Sequence, residues 1–127
     1  MSESHSTSDE IHDRLDRLYG DAEEHITRLI DQAPAGDIVS GQETICKALA
    51  HEDRLRILET LRDSECCACE LQVVLDAPQS TVATHLRKLR DAGLVKTRKK
   101  GKWTYYRIGD TAAIEVLDLL RAIHEGQ

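Results

Sequence analysis

The chain has 127 residues, of which 40% are hydrophobic and 3% aromatic, and its formal net charge is −6. This length fits one domain plus a terminal arm. No apolar run approaches the roughly 18 residues of a membrane span, and the polar, acidic N-terminus lacks the basic start and apolar stretch of a secretory signal. These features argue against a membrane protein and predict a cytoplasmic one.

The acidic total hides an uneven distribution of charge. Residues 80–107 contain nine Lys or Arg and one acid, Asp91, whereas residues 1–79 contain 18 acids and seven bases. A basic segment in an otherwise acidic chain favours an interaction with nucleic acid.

In chain order, residues 1–9 are polar and predict a flexible arm, followed by one domain over residues 10–127. Apolar residues recur at steps of three and four from Ile11 to Ile30, which predicts one amphipathic helix over residues 10–33, ended by Pro34-Ala35-Gly36. The narrow apolar stripe of this helix needs a cover, and a dimer partner is a natural candidate.

The rest of the chain predicts a mainly α fold (α+β), a winged helix-turn-helix with a two-stranded basic hairpin as the wing. Apolar spacing predicts helices over Gln42–Ala50 and Glu52–Arg62, and one from the cysteine cluster to Asp76. After the Ala77-Pro78 turn, a helix capped by Gln79 or Ser80 ends near Ala92, before Gly93. The thiol box and helix-turn-helix thus cover residues 66–92, the wing residues 94–108 and the last helix residues 111–124.

The second helix of a helix-turn-helix enters the major groove, and its N-terminal side chains meet base edges. Further basic residues on that helix and on the wing would contact phosphates, which set affinity and register. The predicted DNA-binding residues are therefore Gln79, Ser80, Thr81, Ala83, Thr84, His85, Arg87, Lys88, Arg90, Arg98, Lys99, Lys100 and Lys102. Trp103, Tyr105 and Tyr106 are predicted to pack under the wing rather than to stack on bases.

Three thiols in four positions, Cys66, Cys67 and Cys69, form a candidate soft-metal or redox site. In a regular helix Cys67 and Cys69 face away from each other, whereas Cys66 and Cys69 share a face. Either the cluster lies in the frayed start of the helix, or Cys66 and Cys69 are the working pair, or binding distorts the first turn. A helix N-terminus would also lower the thiol pKa.

Three stretches of this chain resemble the ArsR/SmtB family of metal-responsive winged-helix repressors. Ala48–Leu58 resembles the opening motif of that family, and Cys67-Ala68-Cys69-Glu70-Leu71 resembles its metal box. The stretches Ser80–Leu94 and Arg98–Arg107 resemble its recognition helix and wing.

The resemblance implies a homodimer, formed by the first and last helices, that binds a pseudo-palindromic DNA operator and represses its own operon. A thiophilic inducer would release the DNA: As(III) or Sb(III) by resemblance, with Cd(II), Pb(II) or Zn(II) also suited to thiolates. The expected ligands are Cys66, Cys67 and Cys69. Gln72 stands where the family often has a third thiol, so Cys46, His5 and His12 are further candidates. Neither an organic cofactor nor an enzymatic activity is expected.

Two alternatives stay open. The same repressor could sense oxidants or reactive sulfur through its vicinal thiols. Cys66 and Cys69 also form a CxxC motif, but the chain lacks the βαβ pattern of a thiol oxidoreductase.

Overall fold

The computed structural model describes residues 2–127, with side chains from Ser8 onward. Its described part divides into two compact units, one ending at Val39 and the other spanning Ser40–Gln127. None of the described helices is long and apolar enough to cross a membrane. In chain order the elements are α1 (Ser2–Tyr19), α2 (Ala22–Gln32), α3 (Gly36–Leu49), α4 (Glu52–Leu61), β1 (Cys66–Cys67), α5 (Ala68–Leu75), α6 (Gln79–Asp91), β2 (Val95–Lys100), β3 (Trp103–Ile108) and α7 (Thr111–Glu125).

The first unit contains two helices, α1 and α2, where the sequence predicted one. Gly20 has a φ of 83°, a region that residues with a side chain avoid, and it ends α1. Asp21 then caps α2, because its carboxylate accepts a hydrogen bond from the backbone N–H of Glu24 at 3.1 Å. The prediction of one continuous helix over residues 10–33 is therefore wrong. Helix α1 also extends into residues 2–9, where the sequence predicted no element.

The second unit is a winged helix-turn-helix, as the sequence predicted. Strands β2 and β3 pair antiparallel from Val95 opposite Ile108 to Lys100 opposite Trp103. Only Gly101, with a φ of 62°, and Lys102 connect them, so the wing has a two-residue turn.

The core of the second unit is aliphatic and centres on α6. Val82, Leu86 and Leu89 are buried on one face of this helix, as their spacing predicts. Leu71 of α5 is fully buried with them, whereas Val74 of the same helix is 51% exposed. Helix α5 has only 8 residues, and its buried residues are Leu71 and Leu75.

Strand β1 was not predicted. Cys66 lies opposite Tyr106 of β3 and Cys67 lies opposite Tyr105, so the sheet has the order β1-β3-β2. The thiol cluster spans the junction of this strand with the helix, because Cys66 and Cys67 are extended and α5 begins at Ala68. A working pair of Cys66 and Cys69, and a distortion of the first turn on binding, stay predictions.

The burial pattern of α5 makes a matched pair of stability predictions. Leu71→Ala should destabilise the protein by about 3 kcal/mol, because it removes a fully buried side chain and leaves a cavity. Val73→Ala on the same helix should change stability by less than about 0.5 kcal/mol, because Val73 is 81% exposed. Urea denaturation of both variants measures the difference, and equal losses would contradict this core assignment.

Candidate functional site

Helices α5 and α6 form the helix-turn-helix, joined by Asp76, Ala77 and Pro78. Asp76 ends α5 in the left-handed conformation, with a φ of 50°. Pro78 occupies the N-cap position of α6, so the predicted cap by Gln79 or Ser80 is wrong. Both of these side chains are exposed within the first turn, which leaves their polar groups available to a ligand.

The outward face of α6 carries most of the residues predicted to contact DNA. The side chains of Gln79, Ser80, Ala83, Arg87, Lys88 and Arg90 are exposed, and those of Thr81 and Thr84 are partly buried. The hydroxyl of Thr84 donates a hydrogen bond to the backbone carbonyl of Ser80 at 3.0 Å. The cations of this face lie towards the C-terminal end of the helix, beyond its short polar side chains.

His85 does not lie on that face. It is only 6% exposed and packs with Val82 and Leu86 on the inner face of α6. Its Nδ1 lies 3.3 Å from Nη1 of Arg54, itself buried at the start of α4. The expectation that His85 contacts DNA therefore does not fit its position. Its spacing of three residues from Val82 was the signal that places it inward.

The wing is strongly basic at its tip. Lys99, Lys100 and Lys102 are exposed, and Trp103 is 50% exposed with Nζ of Lys102 5.9 Å from its ring centre. Trp103 thus does not pack under the wing as the sequence predicted.

Arg98 is held by an ion pair in the middle of strand β2. Its Nε donates to the carboxylate of Glu65 at 2.7 Å, its guanidinium lies 5.6 Å from the ring centre of Tyr105, and the bond to Glu65 raises the arginine pKa. Glu65 directly precedes Cys66, so this ion pair joins the wing to the thiol segment, residues 66–69.

The three clustered thiols have different environments. Cys66 is buried, with Sγ 3.9 Å from the carbonyl of Ser64, whereas Cys67 is half-buried and Cys69 is exposed. Burial, and secondarily the nearby Glu70 carboxylate, raises the pKa of the Cys66 thiol. The prediction that the helix N-terminus lowers the thiol pKa is therefore wrong for Cys66. Consecutive side chains of a strand point to opposite faces, which separates Cys66 from Cys67.

Glu70 stabilises the start of α5. Its carboxylate accepts a hydrogen bond from the backbone N–H of Cys67 at 2.9 Å, and this bond lowers the pKa of Glu70. A carboxylate therefore already occupies the helix N-terminus next to the thiols.

The other candidate ligands are spread over the chain. Cys46 is exposed on α3, and His12 is exposed on α1, where its Nδ1 lies 3.0 Å from the carbonyl of Ser8. His5 lies outside the residues whose side chains are described. Among the described side chains, the cysteines do not belong to a group of three whose possible ligand atoms converge within 4.8 Å.

A winged helix-turn-helix with a basic recognition face defines a DNA-binding transcriptional regulator. Residues 51–97 match the family model described as "Bacterial regulatory protein, arsR family". The chain is 36% identical to the putative arsenical resistance operon repressor ArsR of Halobacterium salinarum over 100 residues, which cover 77% of this chain and 70% of that one. It is 42% identical to the arsenic resistance transcriptional regulator ArsR1 of Pseudomonas putida over 65 residues, about half of each chain.

Two solved structures are similar to this chain in fold and in sequence. Reduced HlyU from Vibrio cholerae superposes with a TM-score of 0.62 and 34% identity, over 68% of this chain and 92% of that one. A homodimeric winged helix-turn-helix DNA-binding domain from Mycobacterium bovis superposes with a TM-score of 0.66 and 26% identity, over 74% of this chain and 91% of that one. The chain belongs to the ArsR family of transcriptional regulators, a family of DNA-binding proteins and not of enzymes.

The different thiol environments predict different reactivities. Cys69 should react with a disulfide reagent such as DTNB at least about tenfold faster than Cys66, because Cys66 is buried and its pKa is raised. Cys69→Ser should remove a fast phase of the reaction, and Cys66→Ser should remove the slowest phase. In urea, the four thiols of the unsubstituted protein should react at equal rates. A fast-reacting Cys66 in the folded protein would contradict this environment.

Proposed function

We propose that this protein is a cytoplasmic, homodimeric repressor that binds an operator through α6 and the wing. A thiophilic metal or metalloid at Cys66, Cys67 and Cys69 would release the DNA, with As(III) or Sb(III) favoured and Cd(II), Pb(II) or Zn(II) possible. The observation that carries the proposal is the position of the thiol segment, which pairs with wing strand β3 and begins α5.

The recognition face has the chemistry that an operator requires. Its short polar groups, Gln79, Ser80 and Thr81, would meet base edges, with Ala83 able to contact a thymine methyl group. Exposed cations on α6 and at the wing tip would contact phosphates on either side. Arg98 is already paired with the carboxylate of Glu65, so it would be less available than the other wing cations to contact a phosphate.

The thiol segment is placed to control both DNA-binding elements. Cys66 and Cys67 are backbone neighbours of Tyr106 and Tyr105, while Cys67 and Cys69 flank the first residue of α5. The three thiols do not converge within 4.8 Å in this structure, so binding one ion to all three requires β1 or the first turn of α5 to move. That movement would disturb the Cys67–Glu70 hydrogen bond and the wing together.

The exposed apolar residues support the homodimer. Leu119, Leu120 and Ile123 of α7 are 62%, 44% and 62% exposed, and Ile11 and Leu18 of α1 are exposed as well. Apolar stripes of this kind are typical of surfaces that a partner covers. A twofold dimer would present two copies of α6 about one DNA turn apart, to a pseudo-palindromic operator.

A redox or reactive-sulfur sensor of the same fold is the second candidate. The half-buried Cys67 and the exposed Cys69 are free thiols that an oxidant can reach, and they need no pre-formed metal geometry. A peroxide response that Cys67→Ser and Cys69→Ser abolish, with no response to metals, would favour this function.

Release by a metal is tested by DNA binding in the presence of the inducer. Saturating arsenite should weaken binding to a duplex from the region upstream of the gene by about 5- to 150-fold, the usual range of allosteric coupling. Cys67→Ser or Cys69→Ser should abolish this effect, whereas Cys46→Ser, at an exposed thiol outside the segment, should retain it. Unchanged affinity at saturating As(III), Cd(II) and Zn(II) would reject the metal part of the proposal.

The DNA-binding face is tested by the salt dependence of affinity. Arg87→Ala and Lys102→Ala should each reduce the slope of log K against log salt by about two per dimer, because each removes one phosphate contact from each protomer. Arg56→Ala is the matched control, since this exposed arginine lies on α4 and pairs with Glu52. An equal loss of slope in the control would show that general charge, and not this face, determines binding.

A further inference from the structure

A cluster of His51, Asp53, Arg54 and His85 joins α6 to the junction of α3 and α4. His51 and His85 have ring centres 4.4 Å apart, and Nε2 of His85 lies 3.8 Å from a carboxylate oxygen of Asp53. We name this group the histidine joint. The recognition of DNA proposed above does not use it, although it is attached to the inner face of the recognition helix.

Arg54 is the centre of the joint. It is 8% exposed, and its Nε donates to the carbonyl of Ala48 at 2.6 Å while its Nη2 donates to the carbonyl of Lys47 at 3.1 Å. These carbonyls belong to the last turn of α3, where the regular helical hydrogen bonds run out, and the Lys47 carbonyl also accepts the backbone N–H of Ala50 at 3.3 Å. The remaining contact, from Nη1, is to Nδ1 of His85 at 3.3 Å.

The hydrogen bonds determine the protonation state that the joint requires. Arginine can only donate, so Nδ1 of His85 must offer its lone pair to Arg54. In the same way, Nδ1 of His51 accepts the backbone N–H of Asp53 at 3.1 Å and caps α4. Both rings therefore serve as acceptors in the neutral form.

A proton on Nδ1 of His85 would place an N–H against the guanidinium of Arg54. Burial, followed by the charges of His51, Arg54 and Lys88, lowers the pKa of His85, and only the Asp53 carboxylate opposes this shift. A depressed folded-state pKa means that the stability contributed by neutral His85 is present above the ordinary histidine value of about 6.5. This contribution is lost as the pH falls below that value.

A metal ion is the other ligand that this cluster suggests. His51, Asp53 and His85 are the group of three, among the described side chains, whose possible ligand atoms lie within 4.8 Å of one another. A ligating imidazole normally donates its second ring N–H to an acceptor. Here the second nitrogen of each ring faces a donor, and for His85 that donor is a buried cation. The cluster is therefore better suited to respond to protonation than to bind a metal ion.

We propose that the histidine joint makes DNA binding acid-sensitive: protonation of His85 breaks its bond to Arg54 and releases the inner face of α6 from α4. This inference rests on the proposed DNA-binding function. It concerns a second input, separate from the thiols, that acts on the same recognition helix. Helix α6 carries exposed polar residues on the face opposite its buried one. A shift of α6 relative to α4 would therefore displace the side chains that would contact the operator.

The test combines two measurements that need no DNA with one that does. Histidine NMR titration of the full chain should place the midpoint of His85 below about 6.5. The melting temperature of the wild type should fall between pH 7.5 and pH 5.5. Over the same range, the Kd for a duplex from the region upstream of the gene should rise about tenfold, which lies within the usual range of coupling between two sites. Acid otherwise adds positive charge and strengthens DNA binding, so a weakening is diagnostic.

His85→Asn is the decisive variant, because an amide oxygen can accept the Arg54 hydrogen bond without titrating. Its melting temperature and its Kd should lose the steep dependence on pH. His124→Asn, at an exposed histidine of α7, should keep the wild-type behaviour. The experiment is repeated with EDTA, and a pH dependence that disappears with the chelator would assign the effect to a metal and overturn the proposal.

Two results would overturn the acid-sensitive joint directly. One is a wild-type His85 that titrates at or above the ordinary histidine value, a result that does not depend on any variant folding. The other is a His85→Asn protein that retains the full pH dependence. If no duplex binds at any pH, the proposed DNA-binding function fails, while the NMR and melting titrations still decide the joint.

Discussion

The position of the recognition helix depends on one buried guanidinium. Arg54 closes the last turn of α3 through the carbonyls of Lys47 and Ala48, and its remaining contact reaches His85 on α6. A buried cation is tolerated only when its donors are satisfied, so these contacts must form together. The aliphatic core then packs Val82, Leu86 and Leu89 around this arrangement, which fixes the polar side of α6 towards solvent.

The thiol segment and the wing form a second mechanical unit. The pairing of β1 with β3 joins Cys66 and Cys67 to the wing, and the ion pair of Arg98 with Glu65 strengthens that connection. The proposed inducer site would therefore act on α5 and on the wing at once, whereas the histidine joint would act on α6. Two chemically independent inputs would converge on one DNA-binding surface.

Much of this fold and of the DNA-binding face could be predicted from local patterns. The spacing of Val82, Leu86 and Leu89 identifies the inner face of α6, and the cations of the wing follow from the sequence between two short strands. The break at Gly20 was missed because an apolar stripe continues across it, although a glycine followed by a capping aspartate marks such a break. His85 was predicted to contact DNA because its side chain can form hydrogen bonds. Its spacing of three residues from Val82 indicates the inner face of the helix instead.

The class of fold, the basic recognition surface and the residues of the thiol cluster could be predicted from the sequence, because periodicity, charge and residue type are local properties. The contacts that those residues make depend on tertiary packing. Cys66 is buried in the core cluster, which raises the pKa of its thiol, and His85 becomes an acceptor because Arg54 of α4 donates to it. Such contacts join residues far apart in the chain, so their hydrogen bonds and burial exist only after the helices and strands have packed together.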